Sequence, residues 1–251
     1  MHEAIKKGDR RALARAITLV ESDAPHDQEK AGKLLEALRP STKRAIRVGI
    51  TGSPGVGKST LIEALGLYVL NLGRRVAVLA VDPSSPLSKG SILGDKTRMQ
   101  NLSKDQRAFI RPSPSRGMLG GVAPHSQEVI ELLEAAGFDV VIVETVGVGQ
   151  SEVAVAELVD TFVLLVSPTS GDELQGVKKG IVELAHIVAV TKYDGDLKLR
   201  AENTKHEYGH ALSSGKPLKS GKWRVRVELV SSVTGEGIDT LWQDVLAHRE
   251  N

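Results

Sequence analysis

Residues 45–60 read AIRVGITGSPGVGKST, and the change of character within that stretch decides the fold. Ala45 to Ile50 is a short β-rich run. The segment Gly52-Ser53-Pro54-Gly55-Val56-Gly57-Lys58-Ser59 fits G-x-x-x-x-G-K-[ST]. Thr60 then leads into a helical pattern with apolar residues at Leu61, Leu65, Tyr68 and Val69. Strand, glycine loop and helix in that order make a phosphate-binding loop. Glycine permits the tight curve that points successive N–H groups at an anion, and the helix N-terminus adds partial positive charge. Lys58 is placed to reach the β and γ phosphates of a nucleotide, and the Ser59 hydroxyl to take a position on Mg²⁺.

Working outward, β-rich runs at Val76 to Val81, Phe138 to Val143, Thr161 to Val166, Ile187 to Val190 and Val225 to Val230 alternate with helical segments. That alternation predicts an α/β fold, a mostly parallel central sheet flanked by helices. Upstream, Leu13, Ile17, Leu19 and Val20, then Leu34, Leu35 and Leu38, follow a helical period broken at Asp23-Ala24-Pro25 and closed by Pro40. We therefore expect an N-terminal helical extension over residues 1–42 and a nucleotide-binding domain over 43–251. Pro83 to Pro124 is rich in Pro, Ser, Gly and Arg, with one short strand at Ala108 to Ile110. A connection that long within a compact domain is usually functional.

Composition removes several classes of function. Lys and Arg number 33 against 31 Asp and Glu, a formal charge of +2, which is no basic excess for nucleic acid. Aromatics at 3% leave few platforms for stacking bases. With no Cys, disulfides, thiolate zinc sites and iron–sulfur clusters are excluded. No stretch approaches the roughly 18 apolar residues of a spanning helix, and the basic start carries Glu3 and Asp9, which targeting peptides avoid. The expectation is a cytoplasmic protein with no membrane and no nucleic-acid partner.

In open parallel sheets, ligands bind beyond the carboxyl ends of the strands. Asp82, Glu144, Ser167, Thr191 and Ser231 each directly follow one of the predicted runs, so five polar groups reach one edge. Glu144-Thr145-Val146-Gly147 supplies an acid three residues before a glycine: Glu144 as the metal-side carboxylate and Gly147 as an N–H facing the γ-phosphate. Asp82 is a second carboxylate for the same cation. Thr191-Lys192-Tyr193-Asp194 sets the base. A carboxylate at Asp194 accepts the N1–H and N2–H₂ donors of guanine and repels the adenine N1 acceptor. The Lys192 stem can lie along the base, and Ser231-Ser232-Val233 can offer N–H groups to the guanine oxygen. No group for activating the attacking water stands out: Val148 is inert, Gln150 is the nearest amide, and Arg98, Arg111 and Arg116 are candidates for stabilising charge. Slow turnover is expected. His206 and His210 sit four apart on a helix but lack a third ligand, so a solvated face is the expected reading.

The segments GSPGVGKST, VLAVDPSSPLSKGSILGDKTRM, FIRPSPSRGMLGGVA, ETVGVGQSE, GDELQGVKKG and VTKYDGD resemble the MeaB family, also described as ArgK-like, to which the methylmalonic aciduria type A protein belongs. The likeness runs from about residue 8 to Leu246. It implies a SIMIBI-type P-loop G domain that binds GTP/GDP with Mg²⁺, hydrolyses GTP slowly and acts as a chaperone for the adenosylcobalamin-dependent methylmalonyl-CoA mutase or a related mutase. It further implies that Lys58 and Ser59 hold phosphate and Mg²⁺, and that Asp82, Asp95 and Glu144 form the acidic switch and metal shell. Residues 167–180 then match an additional switch, with Asp172, Gln175 and Lys178 coupling to the mutase. Two departures stand out. Thr191 replaces the Asn of many GTPases, and the sequence ends at Asn251, where relatives commonly continue into a dimerisation arm, which leaves homodimerisation open. A nickel-insertion GTPase and a P-loop small-molecule kinase are the alternatives.

Overall fold

The computed structural model describes residues 1–39, 43–82, 99–114, 125–145, 151–169, 179–213 and 223–251. Seven strands form one sheet: β1 (Ile46–Gly52), β2 (Val76–Asp82), β3 (Ala108–Pro114), β4 (Val140–Thr145), β5 (Thr161–Val166), β6 (Ile187–Val190) and β7 (Arg226–Leu229). Their order is β3-β2-β4-β1-β5-β6-β7, and every adjacent pair is parallel. The expected mostly parallel sheet is thus wholly parallel among the described strands.

Each central strand is buried on both faces, and its side chains alternate between two cores. Val141, Val143, Phe162, Leu164, Val188 and Val190 enter one core. Val140, Ile142, Val163, Leu165, Ile187 and Ala189 enter the other. The first core is covered by α1 (His2–Lys6), α2 (Arg10–Val20) and α3 (Pro25–Leu38), with α6 (Ser126–Ala135), α7 (Ser151–Leu158) and α9 (Lys198–Ser213). The second is covered by α4 (Lys58–Asn71), α5 (Gln100–Lys104) and α10 (Ile238–Arg249). A short α8 (Lys179–Val182) precedes β6. No helix among the described residues is long and apolar enough to cross a membrane.

Three local details differ from the sequence reading. The N-terminal segment holds three helices where the break at Asp23-Ala24-Pro25 predicts two. Gly8 adopts φ +77, and the Asp9 carboxylate caps the next helix by accepting from the N–H groups of Arg11 (2.8 Å) and Ala12 (3.0 Å). β3 runs four residues beyond Ile110, because its backbone stays in register with β2 as far as Asp82 opposite Pro114. β4 begins at Val140 rather than Phe138. The Phe138 N–H closes the end of α6 on the Leu133 carbonyl (3.2 Å), and the Asp139 carboxylate accepts from the Arg75 N–H (2.9 Å).

Candidate functional site

The parallel arrangement brings the ends of β1, β2, β4, β5, β6 and β7 to one edge. At the centre of that edge β1 ends in the glycine loop. Gly52 has φ +153 and Gly55 φ +80, while Gly57, the N-cap of α4, has φ +102. A Cβ on Gly52 would lie 2.7 Å from the Leu165 carbonyl oxygen, so both backbone conformation and space require glycine there. Gly57 O accepts from the Leu61 N–H (2.9 Å) as the first bond of α4, which leaves the early N–H groups of a fourteen-residue helix at the mouth of the loop.

Lys58 Nζ donates to the Gly52 carbonyl (2.6 Å) and the Ser53 carbonyl (3.1 Å), folding the ammonium over the loop. Pro54, Gly55 and Thr60 are exposed, and Val56 is buried. The Ser59 hydroxyl donates to Glu144 Oε1 at 3.3 Å, and Glu144 is 4% exposed. The structure therefore brings together two residues 85 positions apart, a hydroxyl and a carboxylate. Such an all-oxygen donor set fits Mg²⁺. Beside them the Thr145 hydroxyl donates to Thr51 Oγ1 (2.8 Å), tying the carboxyl end of β4 to β1. Asp82 is the last residue of β2, one strand from Glu144. Asp95, Gly147, Gln150, Arg98, Arg116, Asp172, Gln175 and Lys178 lie outside the described residues.

The second half of the site is built beyond β6 and β7. Lys192 has φ +58, and the Asp194 N–H turns back to the Lys192 carbonyl (2.8 Å). Asp194 Oδ2 accepts from the Ser231 hydroxyl at 2.6 Å. Ser231 Oγ in turn accepts from the N–H groups of Val233 (3.2 Å) and Thr234 (3.1 Å). Ser232 is half-buried and Val233 exposed. Tyr193 supports the segment from behind, its hydroxyl donating to Glu202 (3.1 Å) and its ring lying under the Lys198 ammonium at 4.8 Å. That bond to Glu202 raises the Tyr193 pKa above its ordinary value.

Two contacts were invisible in the sequence. The Thr191 hydroxyl donates to the Val56 carbonyl at 2.7 Å, joining the segment that follows β6 to the glycine loop. Arg111, considered above as a stabiliser of charge, has its guanidinium on Glu21 at 2.6 Å, so it braces β3 against the end of α2. His206 and His210 are exposed on α9. No group of three or more metal-ligating side chains occurs among the described residues.

The family model described as "Methylmalonyl Co-A mutase-associated GTPase MeaB" matches residues 13–251. The chain belongs to the MeaB family of GTPases. A probable GTPase of Mycobacterium tuberculosis is 56% identical to this MeaB-family chain over 247 residues, covering 98% of it and 73% of the relative. GTPase ArgK of Escherichia coli is 48% identical, with 96% and 73% covered. The methylmalonic aciduria type A homolog, mitochondrial, of Mus musculus is 49% identical, with 96% of this chain and 60% of the relative covered. Among solved structures, one described as LAO/AO transport system kinase superposes with a TM-score of 0.80 at 36% identity, covering 99% of this chain and 74% of that one. HypB from Helicobacter pylori in complex with nickel reaches a TM-score of 0.57 at 16% identity, covering 89% and 94%, a likeness of fold alone.

Proposed function

We propose that this MeaB-family chain is a switch that binds GTP with Mg²⁺, hydrolyses it slowly, and acts on an adenosylcobalamin-dependent acyl-CoA mutase, methylmalonyl-CoA mutase or a close relative, gating cofactor loading and protecting the loaded enzyme. The observation that carries the nucleotide part is the meeting of three separated segments at one sheet edge: the loop with Lys58 and Ser59, Glu144 on β4, and Asp194 held by Ser231. Lys58, now on two loop carbonyls, exchanges them for phosphate oxygens. Ser59 and Glu144, with Asp82 and Asp95 as further carboxylates, would hold Mg²⁺, which would offset charge on the phosphates. Asp194 selects guanine, with Lys192 along the base; of the N–H groups of Ser231, Ser232 and Val233 it is Ser232's that faces the base oxygen, because Ser231's donates to the Glu236 carbonyl (2.9 Å) and Val233's to Ser231 Oγ (3.2 Å). Gly147 senses the γ-phosphate, and Asp172, Gln175 and Lys178 carry nucleotide state to the partner.

The partner rests on the family's description and on the mouse relative's name. Switching requires that the mutase bind the GTP and GDP states with different affinity, since a partner indifferent to the two states shifts nothing. The test is GTP hydrolysis with Mg²⁺, with and without the mutase, using ATP as control. Stimulation by the mutase with little use of ATP supports the switch and its client. Turnover untouched by the mutase removes the client, and equal use of ATP removes the guanine assignment.

A second reading, phosphoryl transfer to a small molecule, has one observation behind it: the structure at 36% identity is described as a kinase. Nucleotide hydrolysis without any acceptor separates the two, because a kinase needs an acceptor hydroxyl or amine beside the γ-phosphate.

A further inference from the structure

Thr191 stands at the start of the base segment, yet its hydroxyl is directed to the phosphate loop. It is 3% exposed, and its Oγ1 lies 2.7 Å from the Val56 carbonyl oxygen and 3.2 Å from that of Val166. The Val166 carbonyl already accepts from the Thr191 N–H at 2.9 Å. A hydroxyl carries one proton, and the shorter contact shows that Val56 receives most of it. Nothing is left for Thr191 to donate to a base.

Val56 is the residue before Gly57, flanked by glycines at 55 and 57 with φ +80 and +102. A Cβ on either glycine would meet nothing within 4 Å, so no steric wall fixes the loop there. The Val56 side chain is buried in the second core. In a planar trans peptide the C=O and N–H point in opposite directions. Holding the Val56 oxygen on the Thr191 side therefore turns the Gly57 N–H away from Thr191.

We propose that Thr191 is a positioning residue for phosphate binding: its hydroxyl fixes the Val56–Gly57 peptide so that the Gly57 N–H is presented to the phosphates of the bound nucleotide. This deepens the reading of a guanine-nucleotide site and rests on it. Phosphate affinity and base choice are then separable at this position, Thr191 serving the first and Asp194 the second.

The experiment is calorimetric titration of the full chain with GDP, GTP and ATP. Thr191→Val keeps the shape and removes the donor. It is expected to bind GDP and GTP roughly five- to tenfold more weakly while leaving the GTP-to-ATP ratio unchanged, and Thr191→Ser is expected to restore affinity. Thr191→Ala gives the same readout if the valine disturbs packing. Unchanged GDP affinity in a folded Thr191→Val variant would overturn the proposal. So would a loss confined to guanine nucleotides, which would make Thr191 a base contact, or a serine variant as weak as the valine, which would assign the effect to the methyl group. Failure of the unmodified chain to bind GDP would instead overturn the site reading itself.

Discussion

Ser231 and Asp194 are joined at 2.6 Å by a hydrogen bond of fixed direction. Ser231 Oγ already accepts from the Val233 and Thr234 N–H groups, so its proton goes to Asp194 Oδ2. Ser231 is fully buried, so the fold itself holds the Asp194 carboxylate in place. Ser231→Ala is expected to weaken GTP binding about tenfold and leave ATP binding unchanged. Competition titrations read this directly; an equal loss for both nucleotides would place Ser231 outside base selection.

Glu144→Gln keeps an oxygen to accept from Ser59 Oγ but removes the negative charge. On the proposed Mg²⁺ site, losing this carboxylate should raise the Mg²⁺ concentration for half-maximal GTP hydrolysis at least about tenfold. GDP binding in the absence of Mg²⁺ should change little. A Mg²⁺ titration of hydrolysis is the check, and an unchanged midpoint would remove Glu144 from the shell.

Two glycines of the loop should differ on substitution by alanine. At Gly52 the new Cβ meets the Leu165 carbonyl at 2.7 Å with φ +153, a backbone clash costing roughly 2–3 kcal/mol. At Gly55 the space is open and only φ +80 is unfavourable, costing about 1 kcal/mol. Denaturant unfolding of the two variants should rank them in that order.

Arg47 and Glu134 form a buried bidentate pair, with Nε to Oε1 at 2.9 Å and Nη2 to Oε2 at 3.0 Å, and the Ala45 N–H also donates to Oε1. Their side chains are 9% and 4% exposed. Glu134→Ala leaves a buried guanidinium uncompensated and should destabilise the fold by about 3–5 kcal/mol. Arg47 is near the start of β1, five residues before Gly52, so GDP affinity of the folded fraction should be unaffected.

His186 accepts from the Phe162 N–H at its Nδ1 (2.9 Å) and stacks on His248 with ring centroids 3.9 Å apart. Burial, with a smaller contribution from His248, pushes the His186 pKa down from 6.5 to about 4. The unfolded chain therefore binds a proton at higher pH than the folded one. Stability from this group is fully present above about pH 6.5 and is lost as pH falls toward 4. Thermal midpoints across that window should fall with acid, and His186→Asn, whose amide oxygen can accept from Phe162, should flatten the fall. An equally steep acid limb in the variant would remove His186 as its source.

Much of the site's outline is legible locally. The loop from Gly52 to Thr60 announces itself by glycine spacing between a strand and a helix, and Glu144, Thr191 and Ser231 lie at or within two residues of the carboxyl ends of their strands. The strand runs are legible because strands buried on both faces need unbroken apolar stretches. The ends are less so: β3 outruns its apolar residues because backbone pairing with β2 continues through Arg111-Pro112-Ser113-Pro114. The break at Gly8 is not legible in the apolar period, because the Asp9 cap acts through side-chain geometry that periodicity does not carry.

The α/β class, the phosphate loop and the family follow from the chain's residue order, since each rests on residue types at short, fixed spacing. Tertiary structure alone decided which distant groups meet. Strand order β3-β2-β4-β1-β5-β6-β7 places Ser59 against Glu144, Ser231 against Asp194 and Thr191 against the Val56 carbonyl. It also takes Arg111 from the catalytic candidates by giving it to Glu21. The physical reason is range. Local propensity acts over a few residues, whereas these hydrogen bonds join groups 37 to 135 positions apart, and only the packing of a complete sheet brings them within 3.5 Å.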